Sequence, residues 1–205
     1  MRLTLTTFVS LDGVMQAPGG PEEDPTDGFT QGGWSFPYAD EDFGRIVVGW
    51  FANADAFLLG RRTYEIFAGY WPLQTDENDP VAGPLNRLPK YVVSTTLDSL
   101  AWNNSTLIAG NVAVEVAKLK AQPGNELQVH GSGRLAQTLM AHDLVDEYRL
   151  FVYPVVLGNG RRLFGERKSG AALRLLDTQR TGTGVVVLTY EPAGPAQYGS
   201  FAETP

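Results

Sequence analysis

Apolar and polar residues alternate at the start of the chain, where Leu3, Leu5 and Val9 interleave with Thr4, Thr6 and Ser10. That period of two predicts a strand over residues 2–9, ending at the turn Ser10-Leu11-Asp12-Gly13. From Asp42 the period becomes helical: Phe43, Ile46, Val47, Trp50 and Phe51 share one face, and Asp40, Glu41 and Asp42 suit the positive end of the helix dipole. Residues 55–60 then form a short apolar strand, 61–67 a helix, about 80–87 a short helix, 90–95 a third strand and 106–109 a weaker one. Asn111 is placed to cap a helix running to about Ala121, and Gly124-Asn125 turns the chain into a strand over residues 126–130. The next helix starts at Gly131-Ser132-Gly133 with Leu135, Ala136, Leu139 and Met140 on one face. Residues 148–157 are β-rich, and 173–190 form a hairpin turning near Gly182-Thr183-Gly184. The region after Tyr70 is irregular until the third strand, while residues 16–37 lack a hydrophobic period, and a loop of that length is usually functional or disordered. Its Phe29, Trp34 and Phe36 favour a lid that packs down.

Strands alternating with helices, followed by an antiparallel hairpin, predict an α/β fold: a mainly parallel central sheet with an antiparallel C-terminal edge and helices on both faces. The 205 residues fit a single domain over 1–191 with a loosely ordered tail over 192–205. The absence of cysteine and the presence of only His130 and His142 exclude thiolate and multi-histidine metal sites, so no metal is expected. A net charge of −7 argues against nucleic acid as a partner. No apolar run approaches the roughly 20 residues of a membrane helix, and the N-terminus lacks a signal-peptide pattern, so a cytoplasmic location is expected.

Two strand-to-helix junctions carry the sharpest chemical signals, Leu59-Gly60-Arg61-Arg62-Thr63 and His130-Gly131-Ser132-Gly133-Arg134-Leu135. Both fall at strand carboxyl ends, where open α/β sheets place ligands, and glycine there lets backbone N–H groups approach a phosphate. Read by itself, the G-x-G is equally a tight turn. Ser94-Thr95-Thr96 ends the third strand on the same edge, either as a hydroxyl set for the phosphate of an adenosine ribose or as a cap. Asp12 is the candidate acid or proton relay, with a turn residue before Gly13 as the other reading. Tyr64, Phe67 and Trp71 offer an aromatic wall for a flat substrate, or a core stripe. Gly158-Asn159-Gly160-Arg161-Arg162 is a basic loop near the pocket or a dimer seam, or a plain turn. His130 has no orienting carboxylate in the sequence and reads as a strand residue rather than a base.

The order Ser10-Leu11-Asp12-Gly13, Leu59-Gly60-Arg61-x-Thr63-Tyr64-Glu65, Lys90-Tyr91-Val92-Val93-Ser94, Gly131-Ser132-Gly133 and Pro154-Val155-Val156-Leu157-Gly158-x-Gly160-x-x-Leu163-Phe164 resembles the dihydrofolate-reductase-like superfamily. More narrowly, it is similar to the reductase domain of the bacterial bifunctional deaminase-reductase of riboflavin biosynthesis. The resemblance implies the three-layer reductase fold, NADPH as cofactor, and a pterin, dihydrofolate-like or aminopyrimidine substrate. It assigns Gly60, Arg61 and Thr63 to one face of the cofactor and Ser94 and Thr95 to its adenosine end. Gly131, Ser132, Gly133, Arg134 and Leu135 go to its pyrophosphate, with Asp12 near the nicotinamide. A homodimer is implied as well. The position of the substrate-binding acid of dihydrofolate reductases falls near Gly44, with Asp40, Glu41 and Asp42 its nearest acidic neighbours. A non-catalytic nucleotide-binding or sensor homodimer on the same fold is the alternative. A bulky residue at Gly133 is expected to weaken cofactor binding, and Arg167→Ala to leave it unchanged.

Overall fold

The computed structural model describes residues 1–165 and 170–201. Its strands are β1 (Arg2–Ser10), β2 (Ala54–Gly60), β3 (Lys90–Val93), β4 (Ser105–Ile108), β5 (Glu126–His130), β6 (Glu147–Tyr153), β7 (Ala171–Arg180) and β8 (Val186–Pro195). They form one sheet in the order β4-β3-β2-β5-β1-β6-β8-β7. All pairs from β4 to β6 are parallel, whereas β8 pairs antiparallel with β6 and β7 antiparallel with β8. The parallel block therefore delivers the ends of β3, β2, β5 and β1 to one edge, where Ser94, Arg61, Gly131 and Leu11 follow.

Among the described residues, five α-helices cover the sheet: α1 (Glu41–Phe51), α2 (Arg61–Tyr70), α3 (Ala82–Arg87), α4 (Val112–Lys120) and α5 (Gly133–Ala141). Leu3, Leu5 and Val129 on one face pack with Val116 and Leu119 of α4 and with Leu135, Leu139 and Met140 of α5. The other face carries α1, α2 and α3 through Ile46, Phe51, Tyr64 and Leu85. These are the layers that the hydrophobic periods predict.

The departures are local. β6 stops at Tyr153, short of the expected end at 157, because Pro154 has no N–H for the ladder. β8 runs past the expected domain end at 191, with Pro192 opposite Leu173 and Pro195 opposite Ala171. Prolines are tolerated there because β6 pairs with β8 only as far as Tyr190, which leaves that side of β8 without a ladder. The first residues assigned to the tail thus belong to the sheet. In the 16–37 loop, Phe29 and Trp34 are buried, and the Trp34 indole N–H donates to Gln16 O at 2.7 Å. Phe36 does not share this role and is 77 % exposed.

Alternation in β5 and β6 conceals a polar layer. Glu126, Gln128, Glu147 and Arg149 are all buried. The Arg149 guanidinium donates to both oxygens of Glu126, at 2.9 and 2.6 Å, and to Glu147 Oε1 at 2.6 Å. Gln128 Nε2 donates to Trp50 O at 2.7 Å, which joins the layer to α1. Removing the cation would leave the buried Glu126 without a counter-charge and Glu147 with Arg2, at 3.0 Å, as its remaining cation. Arg149→Met should therefore lower the unfolding free energy by about 3–5 kcal/mol in urea titrations, and adding Glu126→Gln and Glu147→Gln should recover a large part of that loss.

Candidate functional site

The two junctions singled out in the sequence meet in space through Ser132. Its N–H donates to Thr63 Oγ1 at 3.2 Å, its Oγ accepts from Gly60 N–H at 3.0 Å, and its hydroxyl donates to His130 O at 3.0 Å. This requires a left-handed turn, with Gly131 at φ 56° and Ser132 at φ 53°. Glycine takes that conformation freely, whereas Ser132 is held in it by the bonds it makes. A Cβ on Gly60 would meet Ser132 Cβ at 3.5 Å, so the two turns are in van der Waals contact.

Because Ser132 bonds backward to His130, it does not cap α5, and no side chain caps α2 either. The contrast with the other helices is chemical. Asp40 caps α1, Asn111 caps α4, and the Asp79 carboxylate accepts from Val81 and Ala82 N–H at the start of α3. The first α5 backbone bond comes from Ala136 N–H to Ser132 O, which leaves the N–H groups of Gly133, Arg134 and Leu135 as the unsatisfied donors of a helix start. Two uncapped helix N-termini side by side form a locus of positive potential suited to an anion.

Around this locus the expected residues take distinct positions. Arg61 donates from Nη1 to Thr96 Oγ1 at 2.6 Å and from Nε to Glu65 Oε1 at 2.7 Å. Ser94 is buried, and its Oγ accepts the N–H groups of Thr96 and Leu97 at 3.1 Å, so it shapes the bend that presents the exposed Thr95 and Thr96. Arg134 is exposed on the first turn of α5, whereas the Leu135 side chain is buried in the core, leaving its backbone N–H as its contribution. A Cβ on Gly133 would meet Met15 Sδ at 3.1 Å, which places the loop after β1 directly over the start of α5. Arg167 lies outside the described residues.

Several side chains do other work than the sequence proposes. Asp12 Oδ1 accepts Ser10 Oγ–H at 2.7 Å and Leu157 N–H at 3.1 Å, and Oδ2 accepts Gly158 N–H at 2.9 Å. These donors, the Ser10 hydroxyl first, lower its pKa to about 2. It is thus an ionised tie between two loops and a poor proton source. Tyr64 is buried, packs against Trp102 and accepts Trp102 N–H at 3.0 Å, so it belongs to the core. Phe67 packs in the same cluster, and Trp71 follows the last residue of α2, about 15 Å of helix rise from the turn. No aromatic wall forms from these three at the turns. Asp40 and Asp42 bind the β7–β8 turn, Asp40 accepting Thr183 N–H at 3.0 Å and Asp42 Gly182 N–H at 3.2 Å. Burial, aided by Arg149, lowers the His130 pKa to about 3, so its ring is neutral.

The loop makes contacts that no sequence motif announces. Trp34 of the 16–37 loop and Tyr38 just after it meet Tyr153 edge-on, with ring centroids 5.3 and 5.8 Å from that of Tyr153. Asp24 is clamped by Arg62 and Arg161, residues 38 and 137 positions away along the chain. Neither contact has a local signal, because each joins segments that no period or turn motif relates.

The Asp12 ties give a pH dependence with a defined sign. A carboxylate whose pKa is lowered on folding stabilises the fold above its unfolded value of 3.8, and that contribution is lost as pH falls towards about 2. The stability advantage of the native chain over Asp12→Asn should be full at neutral pH and shrink across this window in acid-titrated urea melts. A constant gap would show that Asp12 ionisation is not coupled to folding.

Comparison with known proteins identifies the family and the fold. Residues 2–187 match the model of the RibD C-terminal domain. The uncharacterised protein YyaP of Bacillus subtilis (strain 168) is 31 % identical over 195 residues, covering 92 % of this chain and 94 % of its own. RibD from Acinetobacter baumannii superposes with a TM-score of 0.60 at 15 % identity, covering 94 % of this chain and 58 % of that one. A dihydrofolate reductase from Enterococcus faecalis, solved with NADP(H), superposes with a TM-score of 0.59 at 13 % identity over 94 % of this chain and 96 % of its own. The fold is that of the dihydrofolate-reductase-like proteins, and the chain belongs to the RibD C-terminal domain family.

Proposed function

We propose that the chain is an NADPH-dependent reductase that transfers a hydride to the carbon of a C=N or C=O group in a small heterocycle, such as a pterin or an aminopyrimidine. The observation that carries this reading is the pair of uncapped helix starts locked together by Ser132. Both lie at the edge where the parallel strands end, the position at which open α/β sheets hold nucleotides.

When bound, NADPH supplies the hydride from its nicotinamide ring. The protein's part is binding and orientation. The free N–H groups at the start of α5, with Arg134 beside them, would hold the pyrophosphate. Arg61, Thr95 and Thr96 would hold the phosphate on the adenosine ribose, the group that distinguishes NADPH from NADH. Met15 and the loop after β1 close over the α5 turn and would exclude water from the reacting atoms. Since Asp12 is held ionised, it is not assigned the proton that completes the reduction, which would come from solvent after the hydride has moved.

The commitment of Asp12 to loop ties also favours a second reading, a non-catalytic nucleotide-binding homodimer. Sustained NADPH oxidation in the presence of a pterin or aminopyrimidine would contradict it.

Tryptophan fluorescence during titration with NADPH and NADH tests the cofactor. Tighter binding of NADPH is expected, and Arg61→Ala should reduce that preference by about tenfold. Failure to bind either nucleotide contradicts the proposal. Gly133→Leu should weaken NADPH by about tenfold or more, because its side chain must share space with Met15 and the phosphate, while Lys118→Ala on exposed α4 surface should have no effect. Equal affinities in these two variants would make the turn merely structural.

A further inference from the structure

Asp24 is the most enclosed charge in the 16–37 loop, with its side chain 7 % exposed. The Arg62 guanidinium, from the first turn of α2, and the Arg161 guanidinium, from the loop after β6, both pair with it. The clamp is braced from within. Thr26 donates its hydroxyl to Asp24 Oδ1 at 2.6 Å, and Gln16 Nε2 donates to Asp24 O at 3.1 Å. Gln16 Oε1 also accepts the Arg161 backbone N–H at 3.0 Å, so one buried amide ties the Asp24 and Arg161 backbones together. This is a built arrangement rather than a chance surface pair, whose two long side chains would be ordered at an entropic cost for little gain.

Its place in the fold gives it meaning. Arg62 lies between Arg61 and Thr63, within the turn that meets Ser132. Arg161 O accepts Met15 N–H at 2.8 Å, and Met15 is the residue over Gly133. Asp24 therefore stands at the rim of the paired turns. We propose that Arg62 and Arg161 form an anion subsite at this rim and that Asp24 fills it from within the chain, so that the site accepts a heterocycle lacking a phosphate and turns a phosphorylated one away.

The charge balance supports this. Asp27 Oδ2 lies 3.4 Å from Arg161, so the two guanidiniums already face two carboxylates. A phosphate reaching the cluster meets no net positive charge, and a chain carrying −7 overall adds no attraction from afar. With Asp24 neutralised, the same two guanidiniums, together with the Thr26 hydroxyl, offer charge-assisted hydrogen bonds to a phosphate.

The proposal rests on reading the paired turns as the cofactor site, and its test is kept separate from that reading. Ribose 5-phosphate serves as the phosphosugar probe, titrated calorimetrically with NADP⁺ at saturation so that the pyrophosphate locus is filled. If NADP⁺ itself does not bind, the cofactor reading fails on that result, and the probe is titrated alone. Asp24→Asn should bind ribose 5-phosphate about tenfold or more tightly than the native chain, and adding Arg62→Gln and Arg161→Gln should abolish the gain. No gain in a folded Asp24→Asn chain, or a gain that survives loss of both arginines, overturns the proposal. If Asp24→Asn and Asp24→Ser both fail to fold, the native chain decides. Saturable binding of the probe that is lost in Arg62→Gln/Arg161→Gln overturns the proposal, and absence of such binding upholds it.

Discussion

The hydroxyl of Ser132 is the constraint on which the rest of the site depends. It accepts from Gly60 N–H and donates to His130 O, fixing the end of β2 against the end of β5. A serine in that position would ordinarily cap the helix it precedes. Here it turns the other way, and the price is a left-handed backbone and an uncapped α5. Two helix starts then point unsatisfied N–H groups at the same edge. The adjacent strands hold this geometry because β5 is paired on both sides, with β1 and β2.

Around that fixed point the chain places charge sparingly. Arg61 leans towards Thr96, away from the loop, while Arg62, the next residue, turns towards Asp24. Adjacent arginines on a helix face different directions, and the fold assigns them different partners. Arg61 remains beside the hydroxyls that end β3, whereas Arg62 is neutralised by the loop. The site thus presents positive potential at the paired turns and a balanced cluster at the rim. Such a division favours a nucleotide's phosphates at one place and an uncharged ring at the other.

Much of the fold was legible in the sequence because its signals are local. The period of two in β1, the helical face of α1 and the G-x-G before α5 each depend on residues a few positions apart. The paired turns were legible as two candidates, and only the fold shows that Ser132 joins them. What stayed hidden depends on burial and distance. Glu126, Gln128 and Arg149 alternate with apolar residues as they would on a half-solvated strand, yet α1 covers them and their ion pairs satisfy them. Tyr64 shows the reverse: its helical spacing suits a wall or a core, and the Trp102 N–H on its hydroxyl decides for the core. Asp12 follows β1 at the expected edge, and the Ser10 hydroxyl that does most to hold it ionised is near in sequence, but the further donors from residues 157 and 158 leave no trace there.

The central claim is that the two turns act together as one nucleotide cradle. Hydrogen–deuterium exchange with and without NADP⁺ measures this directly, because the N–H groups at stake are backbone donors lacking a helical partner. Slowed exchange at both 60–63 and 131–135 on adding NADP⁺ is the expected result. Slowing at neither, or only at segments away from the sheet edge where β2 and β5 end, would contradict the account.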